Sequence, residues 1–104
     1  MPSNDHSDNE FEWELKKDKE NLSKHGVSFE LARHVFTDAA HYTGQGYDEN
    51  GELRYHTLGR VSEHLVLRVT HTDRTRAEVS RIRILSARKA DAKERKTYER
   101  KAFP

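Results

Sequence analysis

No cysteine occurs in the 104 residues, which excludes disulfides and thiolate metal sites and is compatible with a reducing compartment. Apolar residues make up only 33% of the chain and charged residues 36%. A core of that size holds roughly three short strands and two or three helices. No apolar run approaches the ~20 residues of a membrane helix, and Met1 to Glu10 has no apolar stretch of the kind that a secretory signal needs. These absences predict one cytoplasmic domain over residues 11–104, behind a disordered lead-in over residues 1–10, with no membrane contact. No glycine-rich phosphate loop follows a strand, and no serine stands in a nucleophile-elbow context, so nucleotide-dependent and acyl-transfer chemistry have no support. The seven histidines are scattered and none pairs on a helix with a second histidine and a carboxylate. The expectation is therefore no metal and no cofactor.

What the chain does have is unevenly placed charge. Residues 1–52 carry five Lys and Arg against twelve acids, and residues 53–104 carry fourteen against six. Such asymmetry hints at nucleic-acid contact, while a net charge of +1 argues against binding by bulk electrostatics alone. The cations concentrate in Arg81-Ile82-Arg83-Ile84-Leu85-Ser86-Ala87-Arg88-Lys89. Alternation there predicts a strand that buries Ile82 and Ile84 and raises Arg81 and Arg83 on the other face. A solvated outer face explains the same pattern equally well.

In chain order, Phe11-Glu12-Trp13 suits an edge strand or a cap over the core. A helix runs from Glu14 to Lys24 and ends at His25-Gly26, with Leu15 and Leu22 forming only a thin apolar stripe. Ser28 reads as the N-cap of a second helix whose Phe29, Ala32, Val35 and Phe36 make the best buried helical face in the chain. Residues 39–52 read as a long loop with a short strand near His41 to Thr43 and a hairpin turn at Glu49 to Glu52. Leu53 to Arg60, Leu65 to Thr72 and the Arg81 stretch form three strands of an antiparallel meander, with Arg68 beside Arg81 and Arg83. Asp91-Ala92-Lys93-Glu94 has capping-box spacing and opens a last helix that carries Arg95 and Tyr98.

A cationic strand face with a few titratable neighbours is chemically sufficient to cut RNA without a metal. RNA brings its own nucleophile, the 2′-hydroxyl, so the protein need only orient it, move protons and stabilise charge on phosphorus. Arginines supply the last of these. The candidates are Arg83 at the scissile phosphate, with Arg81, Arg88 and Lys89 on the flanking backbone, and Lys24 and His25 from the first helix end. His71, Tyr98 and Glu94 are the candidate proton carriers. Each has a plainer reading: a polar strand end for His71, a packing residue for Tyr98 and a helix cap for Glu94.

Phe11-Glu12-Trp13, Asn21-Leu22-x-Lys24-His25-Gly26-Val27-Ser28-Phe29 and Ala32-x-x-Val35-Phe36-x-Asp38 resemble the N-terminal half of the BrnT toxin family. Gly59-Arg60, His71-Thr72-Asp73-Arg74, Arg83-Ile84-Leu85-Ser86-Ala87-Arg88-Lys89-Ala90 and Glu94-Arg95-x-x-Tyr98-Glu99 resemble its C-terminal half. The resemblance implies a RelE-like α+β domain, with N-terminal helices packed on a mainly antiparallel sheet and a C-terminal helix. It also implies the endoribonuclease toxin of a bacterial type II toxin–antitoxin pair. Its implied partner is a BrnA-like ribbon-helix-helix antitoxin, through which alone it would meet operator DNA. Arg68 departs from the pattern, standing where the family leads one to expect an aliphatic residue, and residues 41–53 match nothing specific. The rival reading is a non-catalytic module that binds nucleic acid or serves as the antitoxin's co-repressor.

Overall fold

Alternation in the second half of the chain produces a sheet, and the helical spacings in the first half cover one of its faces. The computed structural model describes residues 5–7 and 10–103. Strand β1 (Asp5–Ser7) pairs antiparallel with β2 (Phe11–Glu14), and β2 lies parallel to β6 (Ile82–Lys89). Strands β5 (Leu65–Asp73), β4 (Leu53–Ser62) and β3 (Tyr42–Tyr47) follow in antiparallel order, giving a six-stranded sheet. The mainly antiparallel α+β architecture and its β4–β5–β6 meander are as predicted.

Two stretches differ from expectation. Asp5–Ser7 forms a strand where an unstructured lead-in was expected, so Phe11–Glu14 is not the sheet edge; residues 1–4, 8 and 9 of that lead-in lie outside the described residues. Strand β3 also extends through Gly44 and Gly46, beyond the short strand expected near His41 to Thr43. Glycine weakens an isolated strand, but here the register with β4 is fixed by a tight turn. The Asp48 N–H donates to Glu52 O at 2.9 Å, and the Asp48 carboxylate accepts from the Asn50 and Glu52 N–H groups. The expected turn chemistry thus decides the strand that precedes it.

Helix α1 (Leu15–His25) stops at Gly26, whose φ of 69° is left-handed and whose N–H donates to Leu22 O. Ser28 caps α2 (Phe29–Ala32) by accepting from the Leu31 N–H. The chain then tightens into a 3-10 helix over Arg33–Thr37, so the single helix expected there is two short ones. Helix α3 (Ala92–Ala102) begins with the reciprocal Asp91/Glu94 capping box.

The main core lies where α2 and the 3-10 helix cover one sheet face, and it contains Phe11, Trp13, Phe29, Val35, Leu67, Val69 and Ile84. On the other face α3 seals a smaller cluster, with Tyr98 over Leu58 and Val66. Helix α1 flanks the edge of β6, and its anchor is Asn21 rather than a leucine. The Asn21 amide donates to Ala87 O and Val27 O and accepts from the Ala87 N–H, all at 2.7–3.0 Å. It serves β6 as a missing neighbour strand would. Leu15 and Leu22 stay substantially exposed. Among the described residues no helix is long and apolar enough to cross a membrane.

Strand β6 contains a bulge. The register runs Thr72↔Arg83 and His71↔Ile84, then Thr70↔Ser86, Val69↔Ala87 and Arg68↔Arg88, leaving Leu85 without a partner. Arg83 and Arg88 are an odd number of residues apart, so strict alternation would put them on opposite faces. The extra residue brings both onto the face opposite the main core.

Gly59 marks the closest approach of sheet and 3-10 helix, since a Cβ there would stand 2.6 Å from Val35 Cβ and 2.8 Å from Val35 O. Backbone cannot yield as a flexible side chain does. Gly59→Ala is expected to lower the unfolding free energy by about 2–3 kcal/mol in urea titration; an unchanged midpoint would show that the two elements can separate freely.

Candidate nucleic-acid interface

Helix α3 packs over the Leu58/Val66 end of its face, and among the described residues no other element covers the β5–β6 portion. The register sets Arg68 opposite Arg88, Thr70 opposite Ser86 and Thr72 opposite Arg83 on that portion. Two arginines directly across a strand pair repel each other. Glu94, in the first turn of α3, answers both: Arg88 Nη1 and Nη2 donate to its two oxygens at 2.7 and 3.0 Å, and Arg68 Nε lies 3.1 Å from Oε2. Oε1 also accepts from the Asp91 N–H at 2.9 Å. Burial pushes the Glu94 carboxyl up, but the Arg88 hydrogen bond, the Asp91 N–H and the charges of Arg88 and Arg68 outweigh it and hold the pKa below the usual range. Farther along, Arg83 Nη1 donates to Glu12 Oε2 at 2.6 Å across the parallel β2–β6 pairing.

His56, on β4, completes this surface. Its Nδ1 is 2.9 Å from Thr70 Oγ1, and Arg68 Nη1 reaches the same hydroxyl at 3.5 Å. Burial lowers its pKa, the charges of Arg68 and Arg88 add to that, and Glu94 opposes them. His56, Arg68 and Glu94 line a pocket of about 340 Å³ with Tyr42, Gly44 and Thr97, within the ~300–1,000 Å³ range of small-molecule pockets.

The candidates named from sequence divide among several places. Arg83, Arg88 and Glu94 share the open face. Lys24 and His25 line a separate groove of about 230 Å³ with Lys17, Asn21, Leu85 and Ser86, at the β6 edge of that face. Lys89 is exposed, but its register partner is Leu67, so it faces the opposite side from Arg88, and the bulge puts that side away from Arg83. Arg81 precedes β6, is partly buried and accepts from the Arg74 N–H through its carbonyl.

Two proposed proton carriers lie elsewhere. The Tyr98 hydroxyl donates to Asp38 Oδ2 at 2.6 Å, and its ring is 2% exposed in the small core. Burial first, and then the Asp38 hydrogen bond, raise its pKa. Asp38 also accepts from the Arg60 and Ala40 N–H groups, tying the end of the 3-10 helix to β4 and α3. His71 is on the main-core side, stacked on Tyr55 and edge-on to Phe36. Its Nε2 meets Thr57 Oγ1 at 2.8 Å, which in turn meets Thr43 Oγ1, while its buried Nδ1 has no hydrogen-bond partner. Burial pushes the imidazole down to about 4, the charges of His56 and His41 add to this and Asp73 opposes them. His71 is a core histidine on the far side of the sheet from Arg83.

Sequence reasoning missed His56, Asp38 and the clamp on Arg68. Alternation along Leu53 to Arg60 gave the only usable signal, because it puts His56 on the face of Arg68. Among the described residues no three His, Asp or Glu side chains gather as a metal site would need.

A family model described as the ribonuclease toxin BrnT of type II toxin–antitoxin systems matches residues 13–94. The fold is similar to the 1.1 Å crystal structure of the Brucella abortus ribonuclease toxin BrnT, with a TM-score of 0.59 and 16% sequence identity. The superposition covers 76% of this chain and 92% of that one, a likeness of fold. No curated protein matches the chain significantly.

Two outcomes follow from the buried groups. His71 has a folded pKa below its unfolded value of about 6.5. Its stabilising effect is therefore complete above pH ~6.5 and is lost as pH falls toward 4, by about 3 kcal/mol. Urea unfolding at both pH values should show this loss in the native protein and a smaller one in His71→Gln; equal slopes would contradict it. Tyr98→Phe should cost about 1.5–3 kcal/mol, the range for a hydrogen bond to a charged group, and a smaller loss would remove Asp38 as an anchor.

Proposed function

The chain belongs to the BrnT family of ribonuclease toxins of type II toxin–antitoxin systems, and from that premise we propose that it is a metal-independent endoribonuclease whose reaction takes place on the open β5–β6 face. The carrying observation is that the Leu85 bulge raises Arg83 and Arg88 on one surface, with Arg68 beside them. An RNA backbone laid along β6 would meet Arg83, the Thr72 and Ser86 positions and Arg88 in turn. Guanidiniums are permanent, planar donors suited to phosphate and to the charge that grows on it during attack. Lys24 and His25 would hold the strand where it leaves the sheet edge.

The chemistry is an internal transfer. The ribose 2′-oxygen bonds to the adjacent phosphorus, the bond from phosphorus to the 5′-oxygen breaks, and a cyclic phosphate and a 5′-hydroxyl remain. Arg83 and Arg88 stabilise the phosphorane charge. Glu12 and Glu94 hold those guanidiniums in place before RNA arrives and are exchanged for phosphate oxygens on binding. Glu94 is held ionised and engaged by two arginines, so its part is to orient cations rather than to carry protons.

A type II toxin is made with an antitoxin, and a BrnA-like ribbon-helix-helix protein fits as the neutralising partner. Operator contact would then come through that protein, and RNA cleavage would arrest growth from within the cytoplasm.

Arg83→Ala is expected to reduce RNA cleavage by about 10²–10³-fold, the typical loss of one transition-state donor, and to abolish growth arrest on induction. Glu12→Ala, which breaks the same ion pair but keeps the guanidinium, should retain most activity. Cleavage should persist in a chelator. Equal loss in both variants would assign Arg83 a structural role. Strongly salt-dependent RNA binding without scission would instead favour a non-catalytic binding module.

A further inference from the structure

The open face contains a histidine, His56, whose ring is held by a neighbouring hydroxyl. Of the histidines on β4, β5 and β6, only His56 projects from the open face; His71 is in the main core. The Thr70 contact fixes the ring through Nδ1. In the tautomer whose Nδ1–H donates to Thr70 Oγ1, the lone pair is at Nε2.

Strand β3 leaves that nitrogen uncovered. Gly44 is the cross-strand partner of His56, and a Cβ built on it would meet nothing within 4 Å. A Cβ on Gly46 would stand 3.5 Å from His56 Nε2. Any larger side chain at either position would fill the space before the ring. Gly44, which weakens β3 as a strand, lines the pocket containing His56, Arg68 and Glu94, and Gly46 leaves the Nε2 side of the ring clear.

We propose that His56 is the general base of the cleavage reaction, accepting the 2′-hydroxyl proton at Nε2 while Arg68 and Arg88 face the phosphate; this rests on the ribonuclease reading. The 2′-oxygen forms its bond to phosphorus as the proton passes to Nε2. The electron pair of the broken bond goes to the 5′-oxygen, which takes a proton from water, and the resulting hydroxide recovers the proton from the imidazolium. No other reactant is needed. The groups facing the ring are Arg68 from β5, Arg88 from β6 and Glu94 from α3, with Asp91 and Lys93 at the pocket rim and Tyr42 and Gly44 from β3. Burial first, and then the cationic neighbours, favour a neutral ring, the form a base requires.

The test is single-turnover cleavage of a labelled, mixed-sequence single-stranded RNA by the full chain across pH 5–9, with circular dichroism melts for each variant. His56→Asn puts an amide near Nδ1, preserving a partner for Thr70, and His56→Gln puts one near Nε2; neither is a base. Both should lose about 10²–10⁴-fold in rate, the range for a positioned proton carrier, with RNA binding within a few-fold of the native protein. The acid limb of the pH profile should disappear with them. Gly44→Val, which covers the ring without removing it, should weaken kcat/KM while leaving the melt intact. Native rates and an unchanged acid limb in folded His56→Asn would overturn the assignment alone. A folded native protein that cuts no RNA would overturn the ribonuclease reading and this assignment together.

Discussion

One unpaired residue, Leu85, decides what the cationic strand can do. Without it, β6 would present Arg83 and Lys89 on one face and Arg88 on the other. With it, Arg83 and Arg88 join Arg68 on a single surface, and Ile82, Ile84 and Ala87 all face the main core. A bulge costs a ladder position and leaves backbone groups to satisfy. Beyond Arg83, β2 no longer pairs with β6, and there the Asn21 amide takes both the N–H and the C=O of Ala87. Helix α1 is thus tied to the strand by a polar clamp, and its last turn brings Lys24 and His25 alongside Ser86.

Concentrating arginines on one surface creates repulsion that the fold must absorb. It does so with two carboxylates from opposite ends of the chain. Glu12 comes from the acidic first half and meets Arg83, while Glu94 comes from the capping turn of α3 and meets Arg68 and Arg88. The charge asymmetry of the sequence is therefore partly cancelled in space, and the face is a set of ordered ion pairs rather than a bare positive field. Ordered donors suit catalysis better than loose ones, because less reorganisation is needed as charge develops. The same pairs mean that RNA must compete with carboxylates, so binding by this face alone should be modest. A tolerated Glu94 also explains how Arg68 can stand on a strand opposite Arg88.

Much of this was legible in the chain, and the misses have physical causes. Capping chemistry is local, so Ser28, Gly26 and the Asp91/Glu94 box could be read directly, as could the β4–β5–β6 meander from its alternation. Strand β3 was only partly visible because Gly44 and Gly46 carry no side-chain pattern; its pairing comes from β4 and the Asp48 turn. The position of Leu85 could not be seen, since a bulge is a property of two strands in register and neither strand announces it alone. That single unknown moved Lys89 off the arginine face and Arg88 onto it. His71 and Tyr98 attracted attention as titratable groups, yet their surroundings are Phe36, Tyr55 and Thr57 in one case and Asp38 and Arg60 in the other. Burial of that kind is a three-dimensional fact. Asn21 shows the converse, a polar residue at a buried helix position that a hydrophobic stripe cannot reveal.

The central claim is that RNA lies across the arginines raised by the bulge. A crystal structure of the protein with a short 2′-O-methyl RNA, which has no free nucleophile and cannot be cut, tests it most directly. The expected result is a backbone phosphate within hydrogen-bonding distance of Arg83 or Arg88, with the Glu12 or Glu94 contact lengthened and a ribose 2′-oxygen beside His56. RNA seated instead on the α1–α2 side, with both ion pairs intact and the β5–β6 face empty, would contradict the account.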